Sequence, residues 1–227
     1  MTTTATEAAG VPTGNTWDKY ASANPLVRAM MKGFFASLDA LLPARTPARI
    51  LEVGVGEAEV AGRLTARYPD ASLVGIDLPD PELAAAWTQV GVPGAFADIV
   101  ALPFADGTFD LVLAIEVLEH VPDPAAALDE LARVSAADVV LSVPREPVWR
   151  VANLARGKYV KALGNTPGHI QHWSRRAFTA LVASRFTVTG ARRPFPWTMV
   201  AASTAPPPLR SPGAASPSDP RSESGSA

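Results

Sequence analysis

The stretch from Arg49 to Gly62, RILEVGVGEAEVAG, constrains this chain more than any other. Ile50, Leu51 and Val53 form an apolar run rich in branched side chains, as a strand covered on both faces of a parallel sheet requires. Gly54 and Gly56 follow, and neither carries a Cβ to block a sharp turn or the close approach of a ligand. A helix then opens, and the N–H groups of its first turn have no partner inside the helix. Strand, glycine turn and helix together predict a site for an anionic or polar ligand group.

The spacing narrows the ligand. A dinucleotide-binding turn carries glycines at its first, third and sixth places, the last allowing the helix to pack under a pyrophosphate. Counted from Gly54, the sixth place is Glu59, with Glu57 nearby. Two carboxylates there repel a pyrophosphate, which disfavours NAD and FAD. A phosphate-binding Walker loop is absent, because no GKS or GKT occurs in the chain.

Downstream, strands and helices alternate. SLVGID (72–77) reads as a second strand ending in Asp77, and Asp80–Pro81 start a helix that Gly91 stops. GAFAD (94–98) reads as a third strand ending in Asp98, with Ile99 after it. An Asp-Gly turn leads into a fourth strand, Phe109 to Ile115, and Asp123–Pro124 start a helix running to Val134. DVVLSVP (138–144) is the fifth strand. FTVTGAR and WTMVAAS close the sheet as an antiparallel pair. The pattern predicts an α/β fold: a Rossmann-like, doubly wound, mostly parallel sheet of seven strands, antiparallel at its C-terminal end. Its ligand crevice should lie at the carboxyl ends of the strands, where Gly54, Asp77, Asp98 and Glu116 all fall.

The acidic residue and glycines Glu52, Gly54, Gly56, followed by Ala58, resemble motif I of the class I S-adenosylmethionine (SAM) dependent methyltransferases, with Ala58 in place of the third glycine. EVLEHVPDP, residues 116 to 124, resembles the segment after strand four in the type 11 and ubiquinone-biosynthesis-like small-molecule group. The resemblance covers residues 17 to 203 and implies SAM as cofactor. It implies that Asp77, with Leu78 beside it, accepts hydrogen bonds from the ribose hydroxyls. Asp98 would bond the adenine amino group with Ile99 against the ring, and Glu116 would border the methionine end. Trp17, Tyr20 and Asn24 would form a lid, Tyr20 touching the cofactor. Glu116, Glu119 and His120 also have the residue types of a metal site, but no second cluster completes a coordination shell, and no metal is expected.

Asn24 is expected to cap a helix beginning at Pro25, whose apolar stripe runs through Leu26, Val27, Met30, Met31, Phe34, Phe35, Leu38, Leu41 and Leu42. After Pro144 the alternation fails. Residues 145–173 exceed an ordinary connection and read as an insertion beside the acceptor. Trp149 and Trp173 are candidates to line an apolar pocket with Asn153 near it, and Arg156, Lys158 and Lys161 make the segment basic. His169 and His172 lie together there, and a histidine with its near-neutral pKa suits a general base. Ser174 is the expected cap of a helix from Arg175 to Ser184.

The expected organisation is therefore a disordered tail at 1–14, a methyltransferase domain at 15–204 with a lid at 15–45 and the insertion at 145–173, and a disordered Pro/Ser-rich tail at 205–227. The net charge of −2 carries no basic excess for nucleic acid, and the absence of cysteine excludes a thiolate nucleophile and cysteine-ligated zinc. No apolar run reaches the roughly 18 residues a spanning helix needs, and the first residues lack a secretion signal. A cytoplasmic monomer or homodimer, with no membrane or nucleic-acid partner, is expected. The reading is methyl transfer to a small-molecule acceptor, most readily a hydroxyl. A SAM-binding protein of the same fold without methyl transfer and a nucleotide-dependent oxidoreductase are the alternatives.

Overall fold

The computed structural model describes residues 22–204 other than 156, 158 and 167. Trp17, Tyr20, Arg156, Lys158 and both tails lie outside the described residues, while Asn24 and the helix that follows it lie within them.

The helix α1, Pro25–Asp39, starts where Asn24 accepts the Leu26 N–H on its side chain with proline in the first turn. Its buried face is Val27, Met31, Phe34 and Leu38. Leu26, counted in the stripe from spacing, is 66% exposed instead, because it lies to one side of the face that Val27, Met31, Phe34 and Leu38 bury. The alternation then proceeds as β1 (Arg49–Val53), α2 (Glu59–Arg67), β2 (Ser72–Asp77), α3 (Pro81–Val90), β3 (Gly94–Phe96), β4 (Phe109–Ile115), α4 (Pro124–Val134) and β5 (Ser135–Pro144). The chain continues through α5 (Val148–Ala155) and α6 (Arg175–Ala183) to β6 (Thr187–Arg192) and β7 (Trp197–Ser203).

Three boundaries move. β3 stops at Phe96, so Asp98 sits in the following turn, its carboxylate accepting the Val100 N–H. β5 begins at Ser135, directly from the end of α4, because Ser135 pairs with Phe109 across an irregularity in the ladder. α6 ends at Ala183, with Ser184 as its C-cap.

The strands form one sheet in the order β3-β2-β1-β4-β5-β7-β6, with β7 antiparallel to both neighbours and all other pairs parallel. The order reverses between β1 and β4, the place where such sheets open a ligand crevice. Side chains alternate across the sheet. Leu111 and Leu113 of β4 join Phe34, Leu64 and Trp87 of α1, α2 and α3 on one face. Val112 and Ala114 join Leu128 and Leu131 of α4 and Phe178 of α6 on the other. β4 is buried on both faces, which is why its sequence, FDLVLAI, reads as a continuous apolar run. Its position at the centre fixes where the loop after Ile115 emerges.

Candidate active site

The glycine turn is held from several sides. Gly54 and Val55 donate N–H bonds to the Ile76 carbonyl at 2.8 and 3.0 Å, tying the turn to the end of β2. The Asp77 carboxylate accepts the Gly56 N–H at 2.8 Å on one oxygen and the Leu78 N–H at 2.8 Å on the other. Trp87 of α3 donates its indole N–H to the Gly56 carbonyl at 2.8 Å. Gly54 and Gly56 both have positive φ, yet they are glycines for different reasons. A Cβ on Gly54 would lie 2.3 Å from Val117 Cγ2, so a bare backbone there leaves room for the loop after β4. A Cβ on Gly56 would meet nothing, and the approach to its backbone is open. Ala58, at the third glycine place, is itself left-handed (φ 64°) and starts α2 without a side-chain cap.

Burial shapes the charges beneath this turn. Glu52 is 2% exposed, and its Oε2 has no hydrogen-bond partner. Burial, reinforced by the neighbouring Asp77 charge, pushes its carboxyl well above the usual carboxylate range. Asp77 is also raised by burial, with the bonds from Gly56 and Leu78 opposing the shift. A carboxylate can accept about four hydrogen bonds, so Asp77 retains acceptor capacity after its two backbone bonds.

The loop after β4 forms the other wall. Glu116 adopts φ 62°, a conformation that a non-glycine residue enters only when its surroundings hold it there. Its backbone N–H bonds Ser142 of β5, and its carboxylate accepts the indole N–H of Trp197 of β7 at 2.6 Å. Glu119 and His120 continue in a short 3₁₀ turn, and the insertion zips onto it. Ile170 and Gln171 donate backbone N–H bonds to the Glu119 carbonyl, and Gln171 donates its side-chain amide to Val121 and Pro122. His120 Nδ1 lies 2.9 Å from the Gly168 carbonyl. A carbonyl only accepts, so Nδ1 carries the proton and a neutral ring presents Nε2 as a base.

These contacts bring Glu119, His120 and His169 together, with one donor atom from each lying within 4.8 Å of the others. Glu119 is 1% exposed and His169 is buried, its ring edge-on to His120 and tilted against Trp149. Glu116 does not join the cluster, since it is committed to Trp197. His172 is exposed and contacts Asn165 Oδ1 at 2.8 Å.

The remaining insertion residues sit apart from one another. Trp149 packs tilted against Trp197 and bonds Thr166, whereas Trp173 packs on Phe178 across the sheet. The two tryptophans therefore do not line one pocket, because the chain crosses from one face of the sheet to the other between them. Asn153 is buried and braces the insertion through Gly164 and Thr166. Sequence reasoning passed over Trp87 and Trp197, which hold the two walls, and Arg145 and Glu146 at the end of β5. Arg145 Nε and Glu146 Oε1 are buried there without hydrogen-bond partners, and burial raises the Glu146 carboxyl. No local pattern marks any of these four, since each acts through a partner from another element.

An open approach at Gly56 and a half-buried carboxylate with spare acceptors at Asp77 suit a ligand bringing hydroxyls to the rim, as the ribose of SAM does.

Residues 51–143 match a family described as a methyltransferase domain. The chain is 38% identical over 111 residues to a demethylmenaquinone methyltransferase of Thermus thermophilus, covering 45% of this chain and 50% of that one. It is 36% identical over 129 residues to a trans-aconitate 2-methyltransferase of Methylobacterium nodulans, covering 54% and 50%. The chain thus spans about half the length of these curated relatives. Among solved structures, a SAM-dependent methyltransferase of Aquifex aeolicus superposes with a TM-score of 0.63 at 16% identity, covering 80% of this chain and 94% of that one, which speaks for the fold. Together with the sheet order and the strand-end residues, the match places the fold and motifs of a methyltransferase domain over residues 51–143.

Proposed function

We propose that this chain transfers the methyl group of SAM to a hydroxyl of a small-molecule acceptor, held between the sheet rim and the insertion. The observation that supports it most is the meeting of Glu119 and His169, one from the loop after β4 and one from the insertion, beside the glycine turn's own wall at Val117.

When bound, SAM supplies a sulfonium-activated methyl group. Asp77 accepts hydrogen bonds from the ribose hydroxyls. Glu52, buried beneath the turn, faces the cofactor's polar end. Asp98 takes the adenine amino group, with Ile99 against the ring. Leu78 and Glu116 complete the border. His169 would take the proton of the acceptor hydroxyl as that oxygen receives the methyl group and the sulfur leaves with its bonding pair. Glu119 stabilises the imidazolium that results. The insertion excludes water and aligns oxygen, methyl and sulfur, an effect that supplies several kcal/mol, and the base adds about 10²–10⁴-fold.

The same three donors, with two imidazoles and a carboxylate, also match the preferences of a borderline divalent ion. Proton transfer without metal is the reading here, and activity surviving chelation separates the two. The first test is calorimetric binding of S-adenosylhomocysteine to the wild type and to Asp77→Ala. Charge-assisted bonds are worth about 1.5–3 kcal/mol, so the variant should bind about 10- to 100-fold more weakly. Equal affinity removes Asp77 from the cofactor site, and preferential binding of NADH overturns the function.

A further inference from the structure

The whole-chain charge of −2 conceals a segregation. Residues 1–146 carry 20 acidic and 9 basic side chains, whereas residues 147–218 carry ten Lys and Arg and no acidic residue. Four of those ten, Arg150, Arg156, Lys158 and Lys161, fall within twelve residues of the insertion.

The same segment exposes apolar surface. Of the ten large apolar side chains exposed among the described residues, Val151, Leu154, Val160 and Leu163 lie within thirteen residues. α5 turns Trp149 and Asn153 inward, so Val151, Leu154 and Ala155 point outward and its outer face is apolar as well. The turn at 159–164 lies against that helix. Arg150 Nε donates to the Leu163 carbonyl at 3.2 Å, and a Cβ on Gly164 would lie 3.0 Å from Leu154 Cγ. Val151 at 60% exposure, Leu163 at 68% and the exposed Lys161 thus lie on α5 and the turn packed against it.

We infer that this patch docks the protein on an anionic lipid surface, its aliphatic side chains entering the interface and its basic side chains meeting lipid phosphates. Exposed aliphatic groups beside Arg150 and Lys161, in a stretch of sequence with no acidic residue from 147 to 218, match the interfacial pattern. A second copy of this chain fits poorly, because its matching patch carries the same charge. No helix among the described residues is long and apolar enough to cross a bilayer, so the protein lies on the membrane through this patch. The inference does not depend on methyl transfer, since docking requires neither cofactor nor acceptor.

Co-sedimentation of the full chain with phosphatidylcholine vesicles containing about one third phosphatidylglycerol tests this. The protein should sediment with these vesicles, much less with pure phosphatidylcholine, and less as salt rises. Val151→Asp with Leu163→Asp should lower the partition by about tenfold or more, because each removes a buried aliphatic contact. Lys161→Glu should lower it about fivefold or more, because it reverses a charge worth about a fivefold change on neutralisation. Val90→Asp, on an exposed residue of α3, should leave it unchanged, and melting curves confirm that each variant is folded. No sedimentation with anionic vesicles, equal sedimentation with neutral ones, or retention by the double variant overturns the inference. So does a dimer in the ultracentrifuge that the double variant dissolves, which would assign the patch to a second copy.

Discussion

The rim between β1 and α4 and the insertion between β5 and α6 build the candidate site from opposite sides, and they are held together differently. On the rim, polar side chains bond backbone groups of their own turns or the adjoining strand end. Asp123 accepts from Ala125 and Ala126, Asp98 from Val100, and Asp77 from Leu78 and the neighbouring turn at Gly56. In the insertion, the decisive bonds cross the chain, from His120 to Gly168, from Gln171 to Val121 and from Arg145 to Pro196. Turn chemistry is written in adjacent residues, and cross-chain bonds are not. Much of the rim's turn chemistry can therefore be read one residue at a time, whereas its ties through Trp87 and Trp197, like those of the insertion, become intelligible only after folding.

The sharpest break of this comparison lies at the place where the two sides meet. Replacing His169 with Ala should reduce turnover by about 10²–10⁴-fold, as loss of a general base does. His172→Ala, at an exposed ring, should change turnover by less than about tenfold. Measuring S-adenosylhomocysteine release with a responsive acceptor decides it. Equal losses would mean that His169 only supports the insertion's structure, and unchanged turnover in both would discard the base altogether.

The next effect probes the long-range ties. Trp197→Phe keeps the aromatic packing on Phe34 and Trp149 but removes the donor to Glu116. A hydrogen bond to a charged group contributes about 1.5–3 kcal/mol. At about 2–4 °C per kcal/mol for a domain of this size, the melting temperature should fall by about 3–12 °C. A change under about 1 °C would show that Glu116 is held by its backbone alone.

The limits of legibility follow from these same ties. The alternation, the caps at Asn24, Asp123 and Ser174, and the antiparallel closing pair are local patterns, and all of them form as expected. Leu26 misled because helical spacing does not say where a helix meets the sheet. Trp149 and Trp173 misled because two aromatic residues in one segment give no information about which face of the sheet each reaches. The packing of Val117 on Gly54, 63 residues apart, is likewise invisible in the glycine turn itself.

A smaller effect tests the rim's buried acid. Because Glu52 holds its proton more tightly when folded, its contribution to stability is fully present below the ordinary value of 4.5 and is lost as pH rises toward the raised folded value. Glu52→Gln removes that loss. Its melting temperature relative to the wild type should therefore rise between about pH 5 and pH 8, by a few degrees if the burial is worth about 1 kcal/mol. A difference that is flat across this range means that Glu52 is ionised in the folded protein.

The smallest effect concerns the departure from the third glycine. Ala58 in the left-handed region costs about 1–2 kcal/mol, which Ala58→Gly would relieve. The glycine gives up a buried methyl group worth about 0.8 kcal/mol and adds about 0.4–1 kcal/mol of unfolded-chain entropy. These terms nearly cancel, so the melting temperature should stay within about 2–4 °C of the wild type. S-adenosylhomocysteine affinity should also hold within about threefold, because the open approach lies at Gly56 and the buried Ala58 methyl does not face it. A large gain in affinity would show instead that the alanine narrows the cofactor site, and that the rim, for all its local chemistry, is tuned by a side chain whose effect its own turn does not reveal.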